Sequence, residues 1–320
     1  MSRYDRATTA EEIARAADLS GRTVVLTGAS SGLGAETARA LAIAGADLVL
    51  GVRDLEKGEA VAAAIAPQAR GGALRVLPLE LSDLGSVIAF AERVEGPVDL
   101  LIANAGVSKT PDSHLPNGLE TRFATNHLGH FLLALRLKTQ MAGRGARLVV
   151  LSSAAHKGMH LQLDDLQWRA REHTLAAYGH SKTANILFAQ EATRRWSAEA
   201  IFANAVLPGS VLTGLQRYHG EEMKRRIGFI LADGSVSPDV KTVGQGAATT
   251  LWAATAAELE GHGGLVLEDC AEALPVGPDT HPWSGFDESV ADPEVARRLW
   301  EISLELVAEH CGAAAVPQGA

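Results

Sequence analysis

Apolar residues along this chain gather in short β-rich runs, and longer amphipathic stretches separate most of them. The runs are "TVVLT" at residues 23–27, "DLVLGV" at 47–52, "LRVLPL" at 74–79, "VDLLIA" at 98–103, "RLVVLS" at 147–152, "IFANAV" at 201–206 and "GGLVL" at 263–267. Seven strands alternating with helices predict an α/β fold, a mostly parallel sheet with helices on both faces. Right-handed crossovers make the doubly wound arrangement the natural topology. Ahead of the first strand, residues 8–17 read as a short helix, with Thr8 and Glu11 spaced as a capping box. We therefore expect an N-terminal helical extension over 1–20 and one domain over 21–312. The strand-helix rhythm weakens between Pro208 and Val243, where charges mix with Tyr218, Phe229 and Ile230. A substrate loop over about 209–243 is expected there, and a surface insertion without catalytic meaning is the other reading. The small-residue tail, 313–320, is expected to be disordered.

Composition narrows the function. The 320 residues are 47% hydrophobic and 5% aromatic, which suits close packing of helices on a sheet. A formal charge of −9 excludes the basic face that nucleic-acid binding needs. Lys224-Arg225-Arg226 reads as a solvated helix face. Cys270 and Cys311 lack the spacing of a zinc site or a disulfide framework, as in a reducing cytoplasm. The acidic first twenty residues do not resemble a signal peptide, and no apolar run is long enough to span a bilayer.

Residues 24–42, "VVLTGASSGLGAETARALA", admit two chemistries. Gly28 to Gly32 fits the elbow that presents a nucleophilic serine, which would be Ser30, whereas Gly28, Gly32 and Gly34 fit a loop that cradles a dinucleotide. Both loops lie between a strand and a helix. Eleven histidines leave a serine nucleophile no shortage of bases, so that test does not decide. Position favours the cofactor loop, because an elbow serine belongs on a central strand well into the chain and this loop follows the first. In the cofactor reading Gly28 permits the turn, Gly32 admits backbone amides to the pyrophosphate, and Gly34 lets the helix approach the sheet. The second strand ends at Val52 and Arg53, a basic residue where a ribose-binding acid would otherwise stand. This points to NADP(H) over NAD(H), the alternative being that Arg53 is a surface cation.

The sharpest chemical signal is "AAYGHSKTANILFAQEATRRW". Tyr178 and Lys182, four apart in a helical pattern, share one face. A phenol near pKa 10 is a poor base at pH 7, but an adjacent ammonium and a cationic nicotinamide both favour the phenolate. Tyr178 could then exchange a proton at working pH. The preceding strand ends in Ser152 and Ser153, at the edge where open α/β sheets place ligands. One hydroxyl there can bond a substrate oxygen while the other satisfies local backbone.

These motifs, with "TGASSGLG" at 27–34, "ANAG" at 103–106, "TNHLGHFLL" at 125–133, "LSSAAH" at 151–156 and "PGSVLT" at 208–213, occur in the order found in short-chain dehydrogenase/reductases. Over residues 20–270 the chain resembles that superfamily, and within it the retinol dehydrogenase and WW-domain oxidoreductase group. The resemblance implies a Rossmann-type sheet and a catalytic tetrad of Asn126, Ser153, Tyr178 and Lys182. It implies cofactor contacts from Gly28, Ser30, Ser31, Gly32, Leu33, Gly34, Arg53, Glu80, Leu81, Asn104, Ala105, Gly106, Tyr178, Lys182, Pro208, Gly209, Val211 and Thr213. Asn104 would stabilise the cofactor site, the 208–213 segment would lie against the nicotinamide, and Asn126 would support a water-linked proton path. Three departures stand out: Glu80-Leu81 replaces Asp-Leu near the adenine, Ala103 replaces the first Asn of Asn-Asn-Ala-Gly, and Ser153 and Tyr178 are 25 residues apart.

The insertion behind that long spacing, residues 154–177, either lines the substrate entrance through Met159, Leu161 or Trp168 or packs down as an outer loop. His156 and His160 are four apart, but no converging acid or cysteine accompanies them, so no metal is expected. His127 and His130 are read as packing and hydrogen bonding around Asn126. The expected activity is alcohol dehydrogenase or carbonyl reductase chemistry on a small molecule, with a bulky lipophilic substrate suggested by the resemblance. A cofactor-binding sensor of the same fold without redox chemistry is the alternative. The family's habit of pairing through the helices that bear Asn126 and Tyr178 implies a homodimer or homotetramer, and a cytoplasmic location is expected.

Overall fold

The computed structural model describes residues 2–169 and 175–317. Its strands are β1 (Thr23–Thr27), β2 (Asp47–Val52), β3 (Leu74–Pro78), β4 (Leu100–Ala103), β5 (Ala146–Leu151), β6 (Ile201–Leu207), β7 (Val266–Glu268) and β8 (Ala271–Glu272). They form one sheet in the order β3-β2-β1-β4-β5-β6-β7-β8, parallel except for β8. The sheet thus has eight strands where seven are expected. β8 is two exposed residues returning antiparallel after a turn at Asp269 and Cys270, too short to leave a hydrophobic period.

The helices are α1 (Ala10–Ala16), α2 (Gly32–Ile43), α3 (Leu55–Ile65), α4 (Leu84–Glu92), α5 (Thr121–Phe123), α6 (Gly129–Met141), α7 (Leu175–Trp196), α8 (Glu221–Arg226), α9 (Val243–Thr255) and α10 (Pro293–Cys311). Central strands are apolar at successive positions because both sheet faces are covered. In β1, Val25 joins the core shared with α4, α6, α7 and α10, while Val24 and Leu26 join the opposite core with α1, α2 and α9. Period-two alternation of a strand's side chains thus feeds two separate cores. The strand order reverses between β1 and β4, which opens a crevice at their C-terminal ends.

Other expectations need correction. The capping box of α1 is made by Thr9 and Glu12, not Thr8 and Glu11, because Thr8 is held in a turn by Asp5. Part of the tail expected to be disordered is a 3-10 turn, Ala313–Ala315, whose Ala315 is buried in a core. In the 154–177 insertion, Leu161 is buried and Trp168 packs edge-on against His180 at 5.1 Å. Met159 lies against Gly179, and residues 170–174 lie outside the described residues. The loop over 209–243 contains a 3-10 turn, Gly214–Gln216, then α8 and a small bridge from Ile230 to Val236.

Pairing through α6 and α7 meets an obstacle in the chain itself. Most residues of both helices are buried, and α10 lies along α7. Trp300 of α10 stacks edge-on with Phe131 at 4.9 Å and Trp196 at 5.2 Å. Part of the α7 surface is thus covered by α10 of the same chain.

Candidate active site

A cleft of about 510 Å³ runs along the C-terminal edge of the sheet, from Arg53 and Glu80 at one end to Tyr178 and Lys182 at the other. Its floor is the loop from β1 to α2. Gly28 and Gly32 have φ of +72° and +55°, in the left-handed region that favours glycine. A Cβ on Gly34 would sit 2.1 Å from the Gly28 carbonyl oxygen, and one on Gly28 would sit 2.8 Å from Ala105 Cα. Larger residues would push α2 and β4 away from the loop.

The start of α2 lacks the side-chain cap that four other helices carry. Asp54, Asp83, Thr242 and Asp292 cap α3, α4, α9 and α10 with their side chains, whereas Ser31 makes no such bond and the first turn of α2 has no acidic residue. Its free amides and positive dipole end are therefore left for an anion in the cleft. Together with the glycine-only walls, this donor set fits the pyrophosphate of a dinucleotide. Ser30, Ser31, Leu33, Leu81, Asn104, Ala105, Gly106, Pro208 and Thr213 line the same cleft.

Gly209 and Val211 stand behind the lining residues. Gly209 faces the stem of Lys241, and buried Val211 packs on Gly246 of α9, since the chain turns inward after Pro208. The cleft also holds residues that the motifs did not indicate, among them Lys57, Leu215 and Arg217. Lys57 had a usable signal, standing one helical turn after Arg53; Leu215 and Arg217 come from a loop without periodicity. At this end Arg53 is mostly exposed and 3.8 Å from Glu80, while Lys57 pairs with Asp54 at 2.6 Å. Glu80 also accepts from the Ser82 amide at 3.1 Å and its hydroxyl at 2.7 Å.

At the opposite end the four residues of the expected tetrad come together. Lys182 Nζ is 5.7 Å from the centre of the Tyr178 ring and donates to the Leu151 carbonyl at 2.9 Å. Ser153 is hydrogen-bonded to the Tyr178 side chain. Ser152 is buried and donates to the Lys182 carbonyl at 2.7 Å, which leaves Ser153 as the serine beside the phenol. A Cβ on Gly106 would lie 3.3 Å from Asn126 Oδ1 and 3.5 Å from Lys182 Nζ, so both border the same glycine.

Burial pushes the Tyr178 phenol up to about 12, an effect the Ser153 hydrogen bond only partly offsets. Burial also pulls the Lys182 ammonium down to about 7. The protein alone therefore holds Tyr178 as a neutral phenol at pH 7. The pull expected from Lys182 does not overcome desolvation.

Asn126 sits in a wide turn, Ala124–Leu128, with i to i+5 bonding that passes into α6. Its side chain accepts from the Val107 amide at 2.8 Å and donates to the Val107 carbonyl and Ser181 Oγ, both at 2.9 Å. Its carbonyl meets His130 Nδ1 at 2.9 Å, and His130 Nε2 meets Thr27 Oγ1 at 2.8 Å. A carbonyl only accepts, so Nδ1 carries the proton and Nε2 takes one from the threonine. Thr27 Oγ1 in turn accepts from the amides of Asn104 and Ala105 at 3.0 Å. His130 thus links the Asn126 turn to the dinucleotide side of the cleft, a role finer than packing. His156 is buried, with Nδ1 on the Ser153 carbonyl and Nε2 accepting from the Asp287 amide, whereas His160 is exposed. Among the described residues, no group of three or more His, Cys, Asp or Glu is arranged to hold a metal ion.

Known proteins share this architecture. Residues 22–224 match the short chain dehydrogenase family. A "Probable oxidoreductase" of Streptomyces lividans is 44% identical over 289 residues, 89% of this chain and 97% of that protein. Mouse "Retinol dehydrogenase 12" is 39% identical, covering 90% of this chain and 86% of its own. A Beutenbergia cavernae structure described as an NAD(P) dependent gluconate 5-dehydrogenase with bound NADP has a TM-score of 0.63 and 26% identity, over 79% of this chain and 97% of its own. With the matched residues, the doubly wound sheet and the glycine cradle in agreement, this chain belongs to the short-chain dehydrogenase/reductase family of NAD(P)-dependent oxidoreductases.

Proposed function

We propose that the protein interconverts an alcohol and a carbonyl compound with NADP(H), and that Tyr178 exchanges the proton on the substrate oxygen. The observation that carries this reading is that Tyr178 and Lys182 line one end of a cleft whose other end suits a dinucleotide, with Ser153 bonded to the phenol and Asn126 bordering Gly106 behind them. When bound, the nicotinamide supplies the hydride acceptor for the carbinol carbon, or the donor in reverse. Gly28, Gly32, Gly34 and the uncapped start of α2 hold the pyrophosphate. Asn104, Ala105, Gly106, Pro208 and Thr213 line the same cleft and would bound the cofactor there.

The protein's part in the reaction is proton management. Ser153 bonds and polarises the substrate oxygen. Tyr178, a neutral phenol in this setting, is ready to protonate that oxygen as a carbonyl is reduced. In oxidation the phenol must first lose its proton, which rising pH favours directly and which positive charge nearby also favours. Lys182 holds the nicotinamide ribose and contributes part of that charge, and Asn126 supports the proton path. In Tyr178→Phe, cofactor binding measured by fluorescence should persist while turnover falls by about 10²- to 10⁴-fold. Full turnover in that variant would overturn the assignment.

Preference for NADP(H) over NAD(H) is supported by Arg53 directly after β2, with Lys57 in the same cleft; the next residue, Asp54, is engaged by Lys57 at 2.6 Å. Arg53→Ala should raise KM for NADP(H) by about tenfold or more and leave KM for NAD(H) nearly unchanged, as loss of a charge-assisted bond to a 2′-phosphate predicts. Equal effects on both cofactors would reject it. A bulky lipophilic alcohol, ketone or aldehyde is the proposed substrate class, and coupled turnover across such a panel is the direct test. Among the described residues no helix is long and apolar enough to cross a membrane, and both cysteines are free, which suits the cytoplasmic setting we propose.

A further inference from the structure

Lys241 lies outside the groups that would touch substrate or cofactor, yet its position is unusual. Its side chain is almost fully buried, and its ammonium pairs with Asp269 in the turn between β7 and β8. Its stem runs along Gly209, where an added Cβ would sit 3.0 Å from Lys241 Cε and 3.1 Å from Nζ. Its backbone amide donates to the Ser210 carbonyl at 2.8 Å, and Lys241 pairs with Val211 in an isolated parallel bridge. One residue therefore closes the two ends of the 211–241 loop against each other and fastens that closure to the sheet edge.

Asp269 is placed for this contact by its backbone. Asp269 and Cys270 have φ of +50° and +59°, a left-handed pair without glycine. Such a turn persists only where surrounding contacts hold it. Here the Cys270 amide donates to Thr249 Oγ1 of α9, and neighbouring Glu268 accepts from the Gly285 amide. The turn, α9 and the 274–286 segment thus hold the carboxylate in front of Lys241.

We propose that Lys241 and Asp269 are positioning residues that set the distance between the 208–213 segment and the rest of the cleft, and so control binding of the nicotinamide half of the cofactor. This rests on the cofactor reading above. Pro208 and Thr213 line the cleft, and Gly209, between them in sequence, is backed by the lysine stem. Without the ion pair the stem has no anchor, and the loop end from Val211 to Thr213 is released with it. The adenosine half, at the Arg53 end of the cleft, lies away from this clamp.

The test uses Lys241→Met, which keeps the stem, and Asp269→Asn, which keeps the shape of a partly exposed residue. Calorimetric binding of NADPH should weaken about tenfold or more in each, and the double variant should be no worse than the singles. Binding of 2′,5′-ADP, the adenosine half alone, should change less than twofold. Tryptic cleavage at Arg217, Lys224, Arg225 or Arg226, mapped by mass, should accelerate in both variants, and Lys241→Arg should restore much of the wild-type behaviour. Should Lys241→Met fail to fold, Asp269→Asn still decides the matter. Variants that are folded by circular dichroism, bind NADPH as wild type does and show unchanged cleavage would overturn the proposal. Equal weakening for NADPH and 2′,5′-ADP would also overturn it, by assigning the pair a general structural role. A wild type that binds neither ligand would refute the cofactor reading instead, and the proteolysis comparison would still judge the clamp.

Discussion

His130 shows how much of this site depends on a proton being absent. Buried and neutral, it donates to the Asn126 carbonyl and accepts from Thr27, and burial pulls its pKa down to about 4. His127, packed between Phe123, Phe131 and Phe188, is pulled to about 3. In the unfolded chain both rings protonate near pH 6.5, so between that value and about 4 the unfolded state binds more protons than the native state. Stability from this source is complete above pH 6.5 and is lost as pH falls toward 4. For His130 the loss is on the order of 3 kcal/mol. Urea unfolding midpoints at pH 7.5 and 4.5 check this: the drop should be smaller in His130→Asn than in wild type, and identical drops would refute it. The spacing of "TNHLGH" places both rings near Asn126, but spacing alone does not reveal which one reaches Thr27, a residue 103 positions earlier in the chain.

At the scale of one element, α2 trades helix stability for ligand binding. An N-cap side chain contributes about 1 kcal/mol, yet Ser31 leaves the first amides of α2 unbonded. Ser31→Asp should therefore raise the stability of the cofactor-free protein by about 0.5 to 1 kcal/mol. The same carboxylate would face the pyrophosphate, so affinity for NADPH should fall by about tenfold or more. Paired thermal-shift and binding measurements decide; a variant that gains stability and binds NADPH as tightly would show that α2 does not hold the anion. The 27–34 motif made this element readable in advance, because glycine spacing is a local property. The capping box of α1 was displaced by one residue for the opposite reason: several adjacent hydroxyls compete, and the Asp5 turn decides which is free.

For the molecule as a whole, α10 is the element with most influence on assembly. It covers α7 with Trp300, and Arg195 stacks over that indole at 4.8 Å. Part of the surface that relatives are expected to pair through is thereby covered from within the same chain. Size-exclusion chromatography with light scattering should report a monomer at micromolar concentration; a dimer would mean that pairing uses another face. Trp300→Ala should cost about 3 to 5 kcal/mol of folding stability, the usual penalty for truncating a buried indole, and should promote association by loosening the cover. An unchanged unfolding midpoint in that variant would remove α10 from this role.

While Ser153 and Asn126 came from the family resemblance, the sequence by itself determined the strand-helix alternation, the parallel sheet, the glycine loop and the pairing of Tyr178 with Lys182. Each of these is written in local order: period-two and period-3.6 hydrophobicity, glycines where the backbone bends, and a phenol and an amine one helical turn apart. Tertiary structure alone decided the rest. It turned the Ser152 hydroxyl onto the Lys182 carbonyl and set Ser153 against the phenol. It set Gly209 and Val211 behind the cleft, brought Lys241 to Asp269 across 28 residues and laid α10 over α7. Burial set the proton affinities of Tyr178, Lys182 and His130, because desolvation depends on what the whole fold places around a group and not on its neighbours in the chain.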